Sequence, residues 1–170
     1  IIVGGMGNAM LKNTGVNIGK SICDDGYKDL VEEILKKSKT HNCQIYYPLD
    51  VVVSKTLDGV GNVKEIDEVN NDEMILDIGP KTITSIKDII EGTNTVLWNG
   101  PAGYFENPNF ANGTKKILEI ITKKRAKDKI YAVAGGGETV AVINKFKKLD
   151  SFNFVSTAGG AFLEYLEGKK

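Results

Sequence analysis

Apolar runs rich in β-branched and aromatic residues alternate along this chain with stretches whose apolar residues recur at helical spacing. Ile1-Ile2-Val3, Ile45-Tyr46-Tyr47, Val51-Val52-Val53, Met74-Ile75-Leu76-Asp77-Ile78, Thr95-Val96-Leu97-Trp98, Ile130-Tyr131-Ala132-Val133-Ala134 and Phe154-Val155-Ser156 read as strands. Tyr27, Leu30, Val31, Ile34 and Leu35 mark one face of a helix. Gly79-Pro80 opens another with Ile83, Ile86 and Ile90 inward, because proline suits a first helical turn. Later helices carry Phe110, Ile117, Leu118 and Ile121, then Val140, Ile143 and Phe146, then Phe162, Leu163 and Leu166. The polar stretch from Thr56 to Asp72 predicts a hairpin excursion around Asn62-Val63-Lys64.

Strand, glycine turn and helix in repetition predict parallel β-α-β units. The expected fold is α/β: a three-layer α/β/α, Rossmann-like open parallel sheet with helices on both faces. Residues 1–170 are expected to form one domain, with no linker and no repeat of fixed period. The chain opens inside an apolar run with neither turn nor cap before it, which predicts a piece of a longer polypeptide.

Composition narrows the partners. The 170 residues carry 22 basic and 22 acidic side chains, and nucleic acid binding needs a basic excess to displace counterions. The only dense basic run, Lys123 to Lys129, falls between a helix and a strand and reads as a solvated helix end. Cys23 and Cys43 form neither a disulfide framework nor a zinc motif, and a reducing cytoplasm is expected. His41, the single histidine, sits in a polar turn and reads as a surface residue. No apolar stretch approaches the roughly 20 residues of a membrane span.

The 19 glycines change the picture, because glycine costs a helix or strand roughly 0.5–1 kcal/mol relative to alanine. Four glycine loops fall at expected carboxyl ends of strands: Gly4-Gly5-Met6-Gly7, Asn99-Gly100-Pro101-Ala102-Gly103, Gly135-Gly136-Gly137-Glu138-Thr139 and Ser156-Thr157-Ala158-Gly159-Gly160. Open sheets of this kind bind ligands at that edge. The loops at Gly135 and Ser156 run into helix N-termini, where unpaired N–H groups and the positive dipole end favour phosphate. The P-loop pattern Gly-x-x-x-x-Gly-Lys-[Ser/Thr] is absent. A dinucleotide fingerprint is incomplete: Gly5-Met6-Gly7 and Asp24 are spaced for it, but its third small position falls on Met10. Glu138, at a helix start, serves either as a cap alone or also as a magnesium ligand beside phosphate. Thr139 offers a hydroxyl to a phosphate, and Asn99 is either an amide placed where charge is handled or an ordinary Asx turn.

At these loops the chain resembles the phosphoglycerate kinase family. Val96-Leu97-Trp98-Asn99-Gly100-Pro101-Ala102-Gly103-Tyr104-Phe105-Glu106 is similar to its V-W-N-G-P-x-G-x-F-E signature. Asp77-Ile78-Gly79-Pro80, Ala134 to Thr139 and Val155 to Ala161 resemble further blocks of its C-terminal domain, in the same order. Ile1 to Leu11, Ile18-Gly19-Lys20-Ser21 and Leu163 to Lys169 complete the likeness across the chain. The resemblance implies reversible phosphoryl transfer from 1,3-bisphosphoglycerate to Mg-ADP, giving 3-phosphoglycerate and ATP. By position it implies Gly4, Gly5, Ile22, Leu76, Pro101 and Phe105 around adenine, with Glu106 on the ribose. Asn99, Gly136, Gly137 and Thr139 would meet the phosphates, and Glu138 the Mg2+. Gly137, Gly159 and Gly160 would offer catalytic amides to the transferring phosphoryl group.

The chain departs from the family pattern at Glu138, where aspartate is usual, and at Ala158, Ile75 and Val3, where glycine is usual. The resemblance also implies elements outside the chain: a first strand with phosphate-binding lysines, an N-terminal domain that binds 3-phosphoglycerate, and a final tail. A cytoplasmic, monomeric parent is expected. A non-catalytic nucleotide-binding module and, behind it, an NAD-dependent Rossmann oxidoreductase are the alternatives.

Overall fold

The computed structural model describes residues 1–23, 25–127 and 129–169. Asp24, the acidic position of the dinucleotide reading, lies outside the described residues, as do Asp128 and Lys170. The chain forms two compact units, Ile1–Thr84 with Ala102–Gly113, and Ser85–Pro101 with Thr114–Lys170.

In the first unit, helices α1 (Gly4–Asn13) and α2 (Lys28–Thr40) precede strands β1 (Asp50–Ser54), β2 (Asn62–Glu65) and β3 (Met74–Ile78). The strand order is β2-β1-β3, and both pairings are antiparallel. The expected hairpin is therefore present as β1–β2. The expected open parallel sheet is corrected for this unit, whose three strands pair antiparallel because the chain returns through the hairpin and not through a crossover helix. Val51 and Val53 point to the side closed by Val69, Ile66 and Ile75.

Two expected strands do not form. Ile1–Val3 and 45–47 meet through one backbone bond, Ile2 N–H to the Tyr46 carbonyl at 2.8 Å, and neither has a ladder. Apolar content makes a segment eligible for a sheet, but a strand exists only where a neighbour supplies a register of hydrogen bonds. The following glycines are likewise no loop. The backbone passes from extended Val3 directly into α1 at Gly4.

The second unit contains the parallel sheet, β4 (Thr95–Asn99), β5 (Tyr131–Gly135) and β6 (Phe154–Val155), in that order. Helices α5 (Gly137–Lys145) and α6 (Gly160–Leu166) follow β5 and β6 as the strand–turn–helix rhythm predicts. Two further helices, α3 (Pro80–Glu91) and α4 (Asn112–Arg125), begin in the first unit and end in the second. Ile117, Leu118 and Ile121 of α4 are buried, as their spacing predicts; in α5 Ile143 is buried with Val142, while the expected Val140 and Phe146 are half-buried. Trp98 and Phe152 stack with centroids 6.3 Å apart. The basic run is not merely solvated. The Lys124 ammonium turns inward and donates to the carbonyls of Ile90 and Glu91 at 2.6 and 2.9 Å, closing the C-terminus of α3, where a cation suits the dipole.

Two buried aspartates cap the starts of α3 and α4. Asp50, 1% exposed at the head of β1, accepts from the Lys81 and Thr82 backbone N–H groups at 2.9 and 2.7 Å and so caps α3. Asp77, 1% exposed in β3, accepts from Gly113 N–H at 2.7 Å at the start of α4. Both are caps supplied from a distant strand, which no local sequence pattern announces.

Candidate functional site

The parallel register of the second unit sets Asn99 opposite Gly135, so β4 and β5 end at the same level. Beyond them the chain must turn sharply into α5. Gly136 does this at φ 89°, and a Cβ there would sit 2.7 Å from Asn99 Oδ1. Glycine is therefore required twice over at this position, by conformation and by space. Asn99 Oδ1 is buried without a hydrogen-bond partner among the described residues. An orphaned buried acceptor costs about 1–3 kcal/mol, so its place at the end of a strand and beside a glycine turn calls for an explanation.

Thr139 is fully buried, and its Oγ1 accepts from Gly100 N–H at 2.6 Å. The hydroxyl thus ties the first turn of α5 to the loop after β4, a structural duty that the sequence reading missed. Its hydrogen remains to be donated elsewhere. Thr139→Val keeps the shape but strands the Gly100 N–H, and is expected to destabilise the chain by about 1–3 kcal/mol in urea denaturation. An unchanged midpoint would show that water replaces the hydroxyl.

Gly137 opens α5 with nothing within 4 Å of where a Cβ would lie, and Glu138 beside it is exposed in the first turn. Gly159 and Gly160 lead from β6 into α6, and they too have open space in front of them. The Phe162 ring of α6 lies against the backbone of Gly135, leaving no room for a side chain there. Asn99, Gly136, Gly137, Glu138, Thr139, Gly159 and Gly160 therefore belong to the carboxyl-terminal edge of one parallel sheet. Pro101 continues the loop from Asn99 and is half-buried. A separate hollow of about 690 Å³ lies at the opposite end of these strands, lined by Asn94, Lys124, Tyr131 and Asn153 among others, and it contains none of the predicted residues.

The remaining predicted residues lie in the first unit. Gly4 and Gly5 form the first turn of α1, with Gly5 exposed. Asn8 of α1 donates to the Ile22 carbonyl at 3.2 Å, while the Ile22 side chain is 82% exposed. Ser21 Oγ accepts from Ile75 N–H at 2.7 Å, and the Leu76 carbonyl accepts from Tyr104 N–H at 2.7 Å. One set of hydrogen bonds thus links α1, the 21–22 segment, β3 and the 103–105 bend. Phe105 is half-buried and Glu106 exposed on that bend. At Gly103 a Cβ would lie 2.5 Å from both the Leu76 carbonyl and Asp77 Oδ1.

Burial pushes the Asp77 carboxyl up to about 6, against the pull of the backbone N–H groups of Gly113, Ile78 and Asn112. No described group of three or more His, Cys, Asp or Glu side chains could cage a metal. No helix of the described residues is long and apolar enough to cross a membrane.

Fold and edge together define an α/β protein whose parallel strands end in glycine turns around an unpartnered amide. A family model described as phosphoglycerate kinase matches residues 1–169. The phosphoglycerate kinase of Francisella philomiragia is 46% identical over all of this chain, and that of Xanthobacter autotrophicus 43% identical over 99% of it. The solved phosphoglycerate kinase of Coxiella burnetii superposes with a TM-score of 0.92 at 39% identity over 98% of the chain. That of Pyrococcus horikoshii gives 0.76 at 26% identity over 97%. The chain belongs to the phosphoglycerate kinase family. It spans 43% of the length of the curated relatives that it matches.

Proposed function

We propose that this chain is the nucleotide-binding, C-terminal half of a cytoplasmic phosphoglycerate kinase, in which ADP or ATP binds across the glycine turns. The parent reaction is reversible phosphoryl transfer from 1,3-bisphosphoglycerate to Mg-ADP, yielding 3-phosphoglycerate and ATP. The observation that carries the reading is the buried, unpartnered Asn99 Oδ1 held beside the Gly136–Thr139 turn. The Asn99 amide is in place to meet a phosphate with its nitrogen while its oxygen accepts from whatever accompanies that phosphate. The α5 N-terminus at Gly137 and the Thr139 hydroxyl hydrogen add donors. The Gly159 and Gly160 amides face the transferring group. Phosphoryl transfer needs positioning and charge neutralisation more than covalent help, which suits a site built of backbone N–H groups.

A single exposed carboxylate, Glu138, fits an ion that takes one or two protein ligands and the rest from phosphate and water. Mg2+ bound there would neutralise charge on the nucleotide phosphates. Gly4, Gly5, Ile22, Leu76, Pro101 and Phe105 are the adenine contacts in this reading, and Glu106 holds the ribose. The site for 3-phosphoglycerate belongs to a separate N-terminal domain in this reading.

Titration calorimetry with Mg-ADP, and with NAD as the competitor, tests the assignment. Binding of Mg-ADP that weakens without magnesium and weakens further in Asn99→Ala supports it. Preference for NAD would defeat it.

A further inference from the structure

We propose that Asp77 is a positioning residue of the nucleotide site, whose carboxylate anchors the α4 end of the 103–113 segment to β3, beside the Gly103 bend, and so fixes the backbone that presents Phe105 and Glu106. This deepens the nucleotide reading and rests on it.

The far end of the segment is held by a hydrogen bond. Gly113 N–H donates to Asp77 Oδ2 at 2.7 Å. A side chain at Gly113 would collide with Asp77, so the helix start approaches as closely as a backbone can. The near end is held by contact. Gly103 packs so tightly that a Cβ would stand 2.5 Å from Asp77 Oδ1, and the adjacent Tyr104 N–H donates to the Leu76 carbonyl at 2.7 Å. Between the anchors, Phe105 N–H donates to the Gly103 carbonyl at 2.8 Å. Asn107 donates to the Leu57 carbonyl at 2.8 Å, and Phe110 is fully buried. Phe105 and Glu106 therefore stand two and three residues from a bend that leans on one buried carboxylate.

The chemistry of that carboxylate is specific. Its two oxygens accept from Ile78 N–H at 2.9 Å and Gly113 N–H at 2.7 Å, and it needs no donor of its own. An amide in its place would turn an NH2 group towards one of those N–H groups. Asp50 provides an internal control. It too caps a helix from a neighbouring strand, yet no predicted nucleotide residue lies on the segment that it holds.

The experiment uses the whole chain as wild type, Asp77→Asn and Asp50→Asn, with amide hydrogen exchange at pH 7 and calorimetry with Mg-ADP. In Asp77→Asn the Gly113 amide loses protection, and Mg-ADP binds about tenfold more weakly. In Asp50→Asn the Lys81 and Thr82 amides lose protection, while Tyr104 and Mg-ADP affinity stay within about twofold of wild type. Retained protection of Gly113 in Asp77→Asn, or an equal loss of affinity in Asp50→Asn, overturns the proposal. If Asp77→Asn does not fold, exchange of the wild type in rising urea decides. Tyr104 and Gly113 must then open as one unit, apart from Lys81 and Thr82, and different opening energies for those two refute it. Wild type that fails to bind Mg-ADP removes the nucleotide reading alone, since the exchange data still report whether Asp77 holds the segment.

Discussion

Purified chain, free of any full-length kinase, is expected to convert 1,3-bisphosphoglycerate and ADP at less than about 10⁻⁵ of the rate of an intact relative. The expectation follows from placing the phosphoglycerate site in a separate domain, given a chain with 43% of the length of its relatives. Holding two reactants in register contributes some 7–11 kcal/mol, and that proximity disappears when only one of them has a site. Each preorganised donor lost as well removes a further 3–4 kcal/mol or so of transition-state stabilisation. A coupled assay that follows ATP from the isolated chain, then from a mixture with a separately produced N-terminal domain, reads the effect. Turnover by the isolated chain above that limit would place the second substrate within these 170 residues and would require a different division of labour.

The second large effect concerns stability against pH. Burial raises the Asp77 carboxyl from its ordinary 3.8 to about 6. Between those values the folded chain keeps a proton that the unfolded chain releases. The stabilisation is therefore complete below about 3.8 and lost as pH rises through about 6. A shift of this size corresponds to about 3 kcal/mol. Other carboxylates work the opposite way: the Glu73 carboxylate is held below its ordinary range by Lys64 at 2.8 Å and by the Asn70 backbone, and it favours the fold at higher pH. The comparison must therefore be a difference between wild type and Asp77→Asn, measured in urea from pH 4 to pH 7. Wild type should lose about 2 kcal/mol relative to the variant over that range, the rest of the effect lying below pH 4. A difference that stays flat would mean that the three backbone donors, aided by the α4 dipole, outweigh burial. The clamp and the titration are separable, because Asp77 is mostly ionised at pH 7, where the exchange experiment is made.

Much of this was legible without coordinates because it is local. The turn at Gly135–Gly137, its helix with Ile143 inward, and the run Asn99–Gly103 announce themselves by spacing and by glycine. The same is true of Pro80, which opens α3. Where the physics is non-local the reading failed. Ile1-Ile2-Val3 has the composition of a strand and lacks the partner that would make it one. Val51-Val52-Val53 and Met74–Ile78 were legible as strands, but not as an antiparallel pair, because direction depends on how 56–72 returns. Lys124 looked like surface charge, yet it caps a helix more than thirty residues away in sequence.

The sequence by itself determined the family, the α/β rhythm and the identity of the residues at the strand ends, since each of these resides in short-range pattern. Only the tertiary structure decided that Asn99 Oδ1 is buried and unpaired, that Thr139 spends one lone pair on Gly100, and that Asp50 and Asp77 cap helices from neighbouring strands. The reason is desolvation. A polar atom acquires its energetic meaning from what surrounds it after folding, and residues 30 or 40 positions apart write nothing about each other into the local pattern.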